Sequence, residues 1–181
     1  MDELLTMSVT QMAKAIRDGE LSPVDAMDFF LARIEAVNPD INAVVVPRFE
    51  EARKEARAAA DRLAGSKDDR PPLLGVPCTM KDTYAMTGLP WAGGLWRRRH
   101  LVPDFDATVV ERIKQSGAII MGKTNVPEAA MWCETYNHVY GRTNNPYDLK
   151  CGVGGSSGGE GAIIGSGASP FGMGSDVGGS I

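Results

Sequence analysis

From residue 73 onward, short apolar runs alternate with amphipathic helical patterns. That alternation confines the chain to an α/β layer architecture with a largely buried sheet. LLGVPCTMKD, at 73–82, reads as a buried strand with Lys81 at its C-terminal end. Thr108 and Glu111 have capping-box spacing and predict a helix over 109–115. Gly117 ends it, and AIIMG at 118–122 follows as a strand.

The first 70 residues read as a mainly helical lead-in to an α/β core segment over 71–181, all within one domain. Ser8 and Gln11 form a capping box for a helix whose Val9, Met12, Ala13 and Ile16 share one face, and Gly19 stops it. Ser22-Pro23 opens the next helix, with Met27, Phe30, Leu31, Ile34 and Val37 as its stripe and Asn38-Pro39 as its end. A β-branched run at 41–46, closed by Pro47, predicts a strand. An Ala-rich helix over 49–63 ends at Gly65, and SKDDRPP is a loop.

Composition removes several function classes. With 43% apolar and 23% charged residues the chain is globular rather than disordered. A net charge of −4 argues against nucleic-acid binding. The basic cluster Arg97-Arg98-Arg99-His100 reads as a solvated loop after Trp96. The three cysteines, Cys78, Cys133 and Cys151, have neither disulfide-framework nor zinc spacing, so a reducing, cytoplasmic setting is expected. No metal, cofactor, signal peptide or transmembrane segment is expected.

Residues 152–181 hold 12 of the 21 glycines, with serines crowded among them. A flexible linker is the plain reading of such a stretch. AIIG at 162–165, a strand-like FGMG at 171–174 and charge confined to Glu160 and Asp176 argue instead for backbone approaching a reacting group. No lysine follows these glycines as a phosphate loop requires, and Pro170 interrupts a dinucleotide-type spacing begun at Gly165 and Gly167. Gly154-x-Ser156-x-Gly158 matches a nucleophile elbow, with Ser156 as the elbow serine. However, NNPYDLKCGV before it is turn-like, and His100 and His138 both precede it. A serine without a histidine needs another base. A lysine serves if burial lowers its pKa, and Lys81, after an apolar strand, is the candidate. Followed by Asp82, it is by context alone more readily a strand-end surface residue.

The segment GVGGSSGGEGAIIGSGASPFGMGSDVGGSI resembles the Gly/Ser-rich block of the amidase-signature hydrolases. LLGVPCTMKD, GKTNVPE at 122–128 and GRTNNPYDL at 141–149 resemble the same family, so the likeness covers most of the chain. EG at 160–161 and MWCETYNHVYGRTNNPYDL look most like its fatty-acid amide hydrolase branch and bacterial relatives. The tRNA-dependent amidotransferase branch usually has serine and alanine after SSGG.

The resemblance implies an α/β fold, a mixed β-sheet core flanked by helices (α/β/α), of which 1–181 is the N-terminal portion. It implies an amide- or ester-cleaving serine hydrolase working through an acyl-enzyme on a small molecule, and it allows a homodimer of a longer chain. Ser180 is the implied nucleophile. Ser156, after a cis peptide, is the implied proton relay, and Lys81 the neutral base. The N–H groups of Val177, Gly178, Gly179 and Ser180 are the implied oxyanion hole. Ser157 and Asp176 are expected to hold the loop by hydrogen bonds, or else to be ordinary turn and cap residues. Asn125, Glu128 and Arg142 are expected to give structural support. In the family a basic residue and a long C-terminal half usually follow the position of Ile181. The 181-residue chain is therefore expected to be an inactive fragment of a longer hydrolase. A non-catalytic truncated product and an amidotransferase-type glutaminase stand as the other readings.

Overall fold

In the computed structural model, which describes residues 3–65 and 70–181, Ser8 caps its helix as its spacing predicts. The Ser8 hydroxyl accepts the Gln11 N–H at 3.3 Å, and Gln11 Oε1 accepts the Ser8 N–H at 2.8 Å. Such a cap stabilises a helix by about 1 kcal/mol. A short helix α1 (Glu3–Thr6) precedes this one, α2 (Val9–Asp18), which ends on Gly19 in the left-handed region.

The next helix, α3 (Pro23–Ile41), runs past Asn38-Pro39, where the sequence predicted its end. Proline in the last turn forfeits only one intrahelical bond. Asn38 then organises the exit. Its Oδ1 accepts the N–H groups of Ala43 and Val44, both at 2.8 Å, and its amide donates to Val44 O at 2.9 Å. The strand that follows, β1 (Val44–Pro47), is accordingly shorter than the predicted 41–46. Helix α4 (Phe49–Leu63) follows as predicted, while residues 66–69 of the SKDDRPP segment lie outside the described residues.

Strand β2 (Pro77–Lys81) is buried along its whole length, Lys81 included. Trp96–Arg98 forms a single 3-10 turn, and the basic cluster there is not simply solvated. The Arg98 guanidinium stacks over Trp91 at 4.0 Å and that of Arg99 over Trp96 at 4.2 Å. Helix α5 (Thr108–Gln115) includes Thr108 as its first residue, so the predicted Thr108–Glu111 capping box does not form. Ala107 takes the cap position without a side-chain bond. Strand β3 (Ile119–Thr124) extends two residues beyond the predicted 118–122. A two-stranded hairpin, β4 (Tyr136–Asn137) with β5 (Gly141–Arg142), has no counterpart in the sequence reading.

The glycine-rich block is not a linker. It forms helix α6 (Gly158–Gly165) and the short strand β6 (Gly172–Met173). The sheet order is β1-β3-β2-β6. The β2–β3 and β2–β6 pairs are parallel and β1–β3 is antiparallel, giving the expected mixed sheet. β1 joins the helical lead-in to the sheet of the core segment.

Burial divides along the two faces of the sheet. Ile119 and Met121 pack with α2, α3, α4 and Ala162 and Ile163 of α6. Cys78, Met80 and Ile120 pack on the other face with Met86 and Val110 of α5. Side chains alternate along a strand, so Thr79 and Lys81 of β2 project away from Cys78 and Met80, toward α6. That alternation carries a lysine into the interior. No helix among the described residues is long and apolar enough to cross a membrane.

Candidate active site

Lys81 is completely buried, and its partners are few and specific. The Lys81 amine lies 2.7 Å from Ser156 Oγ, 2.8 Å from Ser157 Oγ and 3.0 Å from the Ser175 carbonyl. Ser156 is 1% exposed and follows Gly155 across a cis peptide bond, as the family resemblance implied. Two strands and a helix thus meet at one nitrogen: β2 carries Lys81, the residues leading into α6 carry both serines, and Ser175 follows β6.

Burial lowers the Lys81 amine to about 8, against the opposing pull of the negative charges on Asp176 and then Glu160. At pH 7.4 about a fifth of such lysines are neutral, against roughly one in a thousand at the reference pKa. A neutral amine has two protons and one lone pair. The Ser175 carbonyl can only accept, and Ser157 Oγ, which donates to that carbonyl at 3.3 Å, accepts too. Both protons are then committed, and the lone pair is left for the Ser156 hydroxyl. The ammonium form donates in all three contacts, whereas the neutral amine that burial makes accessible turns its lone pair on Ser156 and can take that hydroxyl's proton.

Ser180 is half-buried, and its carbonyl accepts the Ser157 N–H at 3.1 Å, so its backbone lies beside the serine pair. Among the described residues no hydrogen bond joins its hydroxyl to Ser156 or Lys81. Asp176 closes the loop through its carboxylate, which accepts the Gly179 N–H at 2.5 Å and the Ile181 N–H at 3.1 Å. The Ser180 N–H above all, then those of Gly179, Ile181 and Gly178, hold the carboxyl below the ordinary range. Of the implied oxyanion donors, the N–H groups of Ser180, Gly179 and Gly178 therefore face Asp176, and Val177 is exposed.

Around this centre lie groups whose placement the sequence did not reveal. Glu160 accepts the hydroxyls of Thr79 and Thr124 inside the core. Asp82 and Lys123, both fully buried, form an ion pair next to Lys81. Asp82 also accepts the Gly93 N–H at 2.9 Å, and Lys123 donates to Pro90 O at 2.7 Å, so the pair pins the 90–93 loop. A charge at the end of an otherwise apolar strand was the visible signal, but it did not identify the partner. Asn125 is a buried junction: its amide donates to Gly141 O and Thr143 Oγ1, and its Oδ1 accepts from Asn137. Arg142 contributes a backbone rung of the β4–β5 hairpin, and its side chain donates to Lys150 O at 3.4 Å. Glu128 is exposed and makes no side-chain hydrogen bond among the described residues, so the support expected of it is not found. The elbow reading of Ser156 also fails. A helix follows the serine, but no strand leads into it. Among the described residues no cluster of three His, Cys, Asp or Glu side chains is placed to hold a metal.

The family model described as Amidase matches residues 25–181. Fatty-acid amide hydrolase 2-A of Danio rerio is 50% identical over 98% of the chain, which covers 35% of that protein. A glutamyl-tRNA(Gln) amidotransferase subunit of Roseiflexus castenholzii is 39% identical over the whole chain, which covers 36% of it. A solved structure of a fatty acid amide hydrolase superposes with a TM-score of 0.95 at 31% identity, over 99% of this chain and 32% of that one. The chain thus spans about a third of the length of the relatives it matches.

Proposed function

Because the chain belongs to the amidase family, we propose that it carries the Ser-Ser-Lys centre of an amide hydrolase that works through an acyl-enzyme. The observation that carries this reading is the fully buried Lys81 amine 2.7 Å from the Ser156 hydroxyl, its pKa lowered by burial to about 8.

Serine at its ordinary pKa is a weak nucleophile and needs a base. In the proposed cycle, Ser180 Oγ adds to the substrate carbonyl. Its proton passes to Ser156, whose own proton passes to Lys81. The tetrahedral oxyanion is met by N–H groups of the 177–180 loop, including those of Gly178, Gly179 and Ser180 once Asp176 releases them. Collapse breaks the C–N bond, and Lys81 returns its proton through Ser156 to the leaving amine. Water then attacks the acyl-Ser180 ester by the same relay, which frees the acid and restores the serine.

Higher identity to a fatty-acid amide hydrolase than to a tRNA-dependent amidotransferase favours an acyl amide over glutamine as substrate. Glutamine hydrolysis is the second reading, on the strength of the 39% identity. The test is hydrolysis of an aryl amide, an aryl ester and glutamine by the natural gene product and its Ser180→Ala variant. Loss of turnover by roughly a thousandfold or more is expected on the preferred acyl substrate. Undiminished turnover in the variant overturns the assignment of the nucleophile.

A further inference from the structure

The proposed mechanism leaves a buried carboxylate unused. Glu160 sits in the first turn of α6 and is 4% exposed. Its Oε2 accepts the Thr79 hydroxyl at 2.6 Å, and its Oε1 accepts the Thr124 hydroxyl at 2.8 Å. Thr79 Oγ1 also lies 3.3 Å from the Ser169 hydroxyl. One side chain therefore ties α6 to two adjacent strands of the sheet.

Those elements carry the candidate catalytic groups. Thr79 and Lys81 are two residues apart on the same face of β2, and Ser156 and Ser157 lead directly into α6. The space is shaped around the carboxylate as well, since a Cβ on Gly172 of β6 would collide with Glu160 Oε2. Burying a carboxylate is unfavourable even when it is hydrogen-bonded, and an apolar side chain would pack α6 without that cost. A charge retained there calls for a reason beyond packing.

We propose that Glu160 is a positioning residue for the Lys81–Ser156 pair. Its carboxylate clamps the serine-bearing start of α6 onto the lysine-bearing strand and supplies a negative charge that acts on Lys81. The proposal rests on Lys81 acting as the base. The groups facing this charge are Lys81 of β2 and the hydroxyls of Thr79, Thr124 and Ser169, while Cys78, on the opposite face of the sheet, feels it through the strand. Asp176 is the other negative charge acting on Lys81. Arg48 and Glu55 act on Cys78, whose thiol burial pushes well above its ordinary range, so it is uncharged near neutrality. Burial raises Glu160 itself to about 7, and its anion raises Lys81. Removing that anion lets Lys81 become neutral at lower pH.

The test is the pH profile of acylation by a fluorophosphonate probe in the natural gene product. Glu160→Gln is expected to lower the plateau rate severalfold and to move the acid limb down by a few tenths of a pH unit. Below the limb, that is roughly a twofold gain relative to the plateau. Thr79→Val and Thr124→Val each remove one hydroxyl that stabilises the anion, and they are expected to move the limb the same way. They decide the matter if Glu160→Gln does not fold. A limb that stays at the wild-type pH in every folded variant overturns the proposal, because a purely structural role changes the amount of active protein and not its titration. Lys81→Ala, measured alongside, separates the two claims. Wild-type labelling in that variant overturns the base assignment and this proposal with it. Lost labelling there with unmoved limbs elsewhere overturns this proposal alone.

Discussion

Lys81 sits where three acceptors meet one nitrogen, and the balance between its two protonation states decides what the site can do. As an ammonium it donates to Ser156, Ser157 and Ser175 at once. As an amine it keeps two of those bonds and turns its lone pair on Ser156. Burial favours the second state, and Asp176 and Glu160 oppose it. The base works only when neutral, so the rate of acylation should rise with pH and level off above about 8. The pH–rate profile of hydrolysis checks this, and a rate that is flat from pH 6 to 9 would contradict it. Lys81 as a candidate base was legible in the sequence from the apolar run before it. That it touches Ser156 was not, because the contact spans 75 residues and depends on how α6 docks.

Helix α6 shows why an element can hide inside a glycine-rich stretch. Five of its eight residues are glycine or alanine, and glycine disfavours a helix interior by roughly 0.5–1 kcal/mol relative to alanine. Propensity alone therefore reads the segment as linker. The glycines are explained by close approach instead. A Cβ on Gly159 would collide with the backbone N and O of Asn125, and the Gly159 N–H donates to that same carbonyl at 3.2 Å. Gly161 faces open space. Gly159→Ala should therefore destabilise the protein by about 1–3 kcal/mol, whereas Gly161→Ala should stabilise it by up to about 1 kcal/mol. Urea-denaturation midpoints of the two variants check the contrast, and a shift of the same sign in both would contradict it. At the same scale, α2 and α4 were readable because their signals are local: a capping box with a glycine stop, and an amphipathic alanine-rich run. The end of α3 was misread because Asn38, whose side chain bonds backbone beyond the helix end, supports a proline in the last turn.

Across the whole molecule, the buried ionisable groups couple stability to pH in opposite directions. Glu160 is raised from 4.5 to about 7 on folding. Its contribution is full below pH 4.5 and is lost as pH rises through 7, because the folded state binds the extra proton in that window. Lys81 is lowered from 10.5 to about 8, so its contribution is present above 10.5 and is lost as pH falls through 8. Together they place a stability minimum between pH 7 and 8. Denaturant midpoints followed from pH 5 to 10 check this, and Glu160→Gln should flatten the acid side of the minimum. A wild-type midpoint that climbs from pH 5 to 7 would contradict the Glu160 assignment. The alternation of strand and helix after residue 73 was enough to read the mixed α/β architecture. The Asp82–Lys123 pair and the Thr79–Glu160–Thr124 bridge were not legible, because each joins residues that only the folded sheet makes neighbours. Everything in the proposed chemistry depends on this buried lysine and its serine activating Ser180. Peptide mapping by mass spectrometry of the fluorophosphonate adduct on the natural gene product tests that dependence, with Lys81→Ala and Ser156→Ala as companions. A single adduct on Ser180 is expected, formed roughly a hundredfold or more slowly in either variant. An adduct on Ser156, or labelling of Ser180 at an undiminished rate without Lys81, would contradict it.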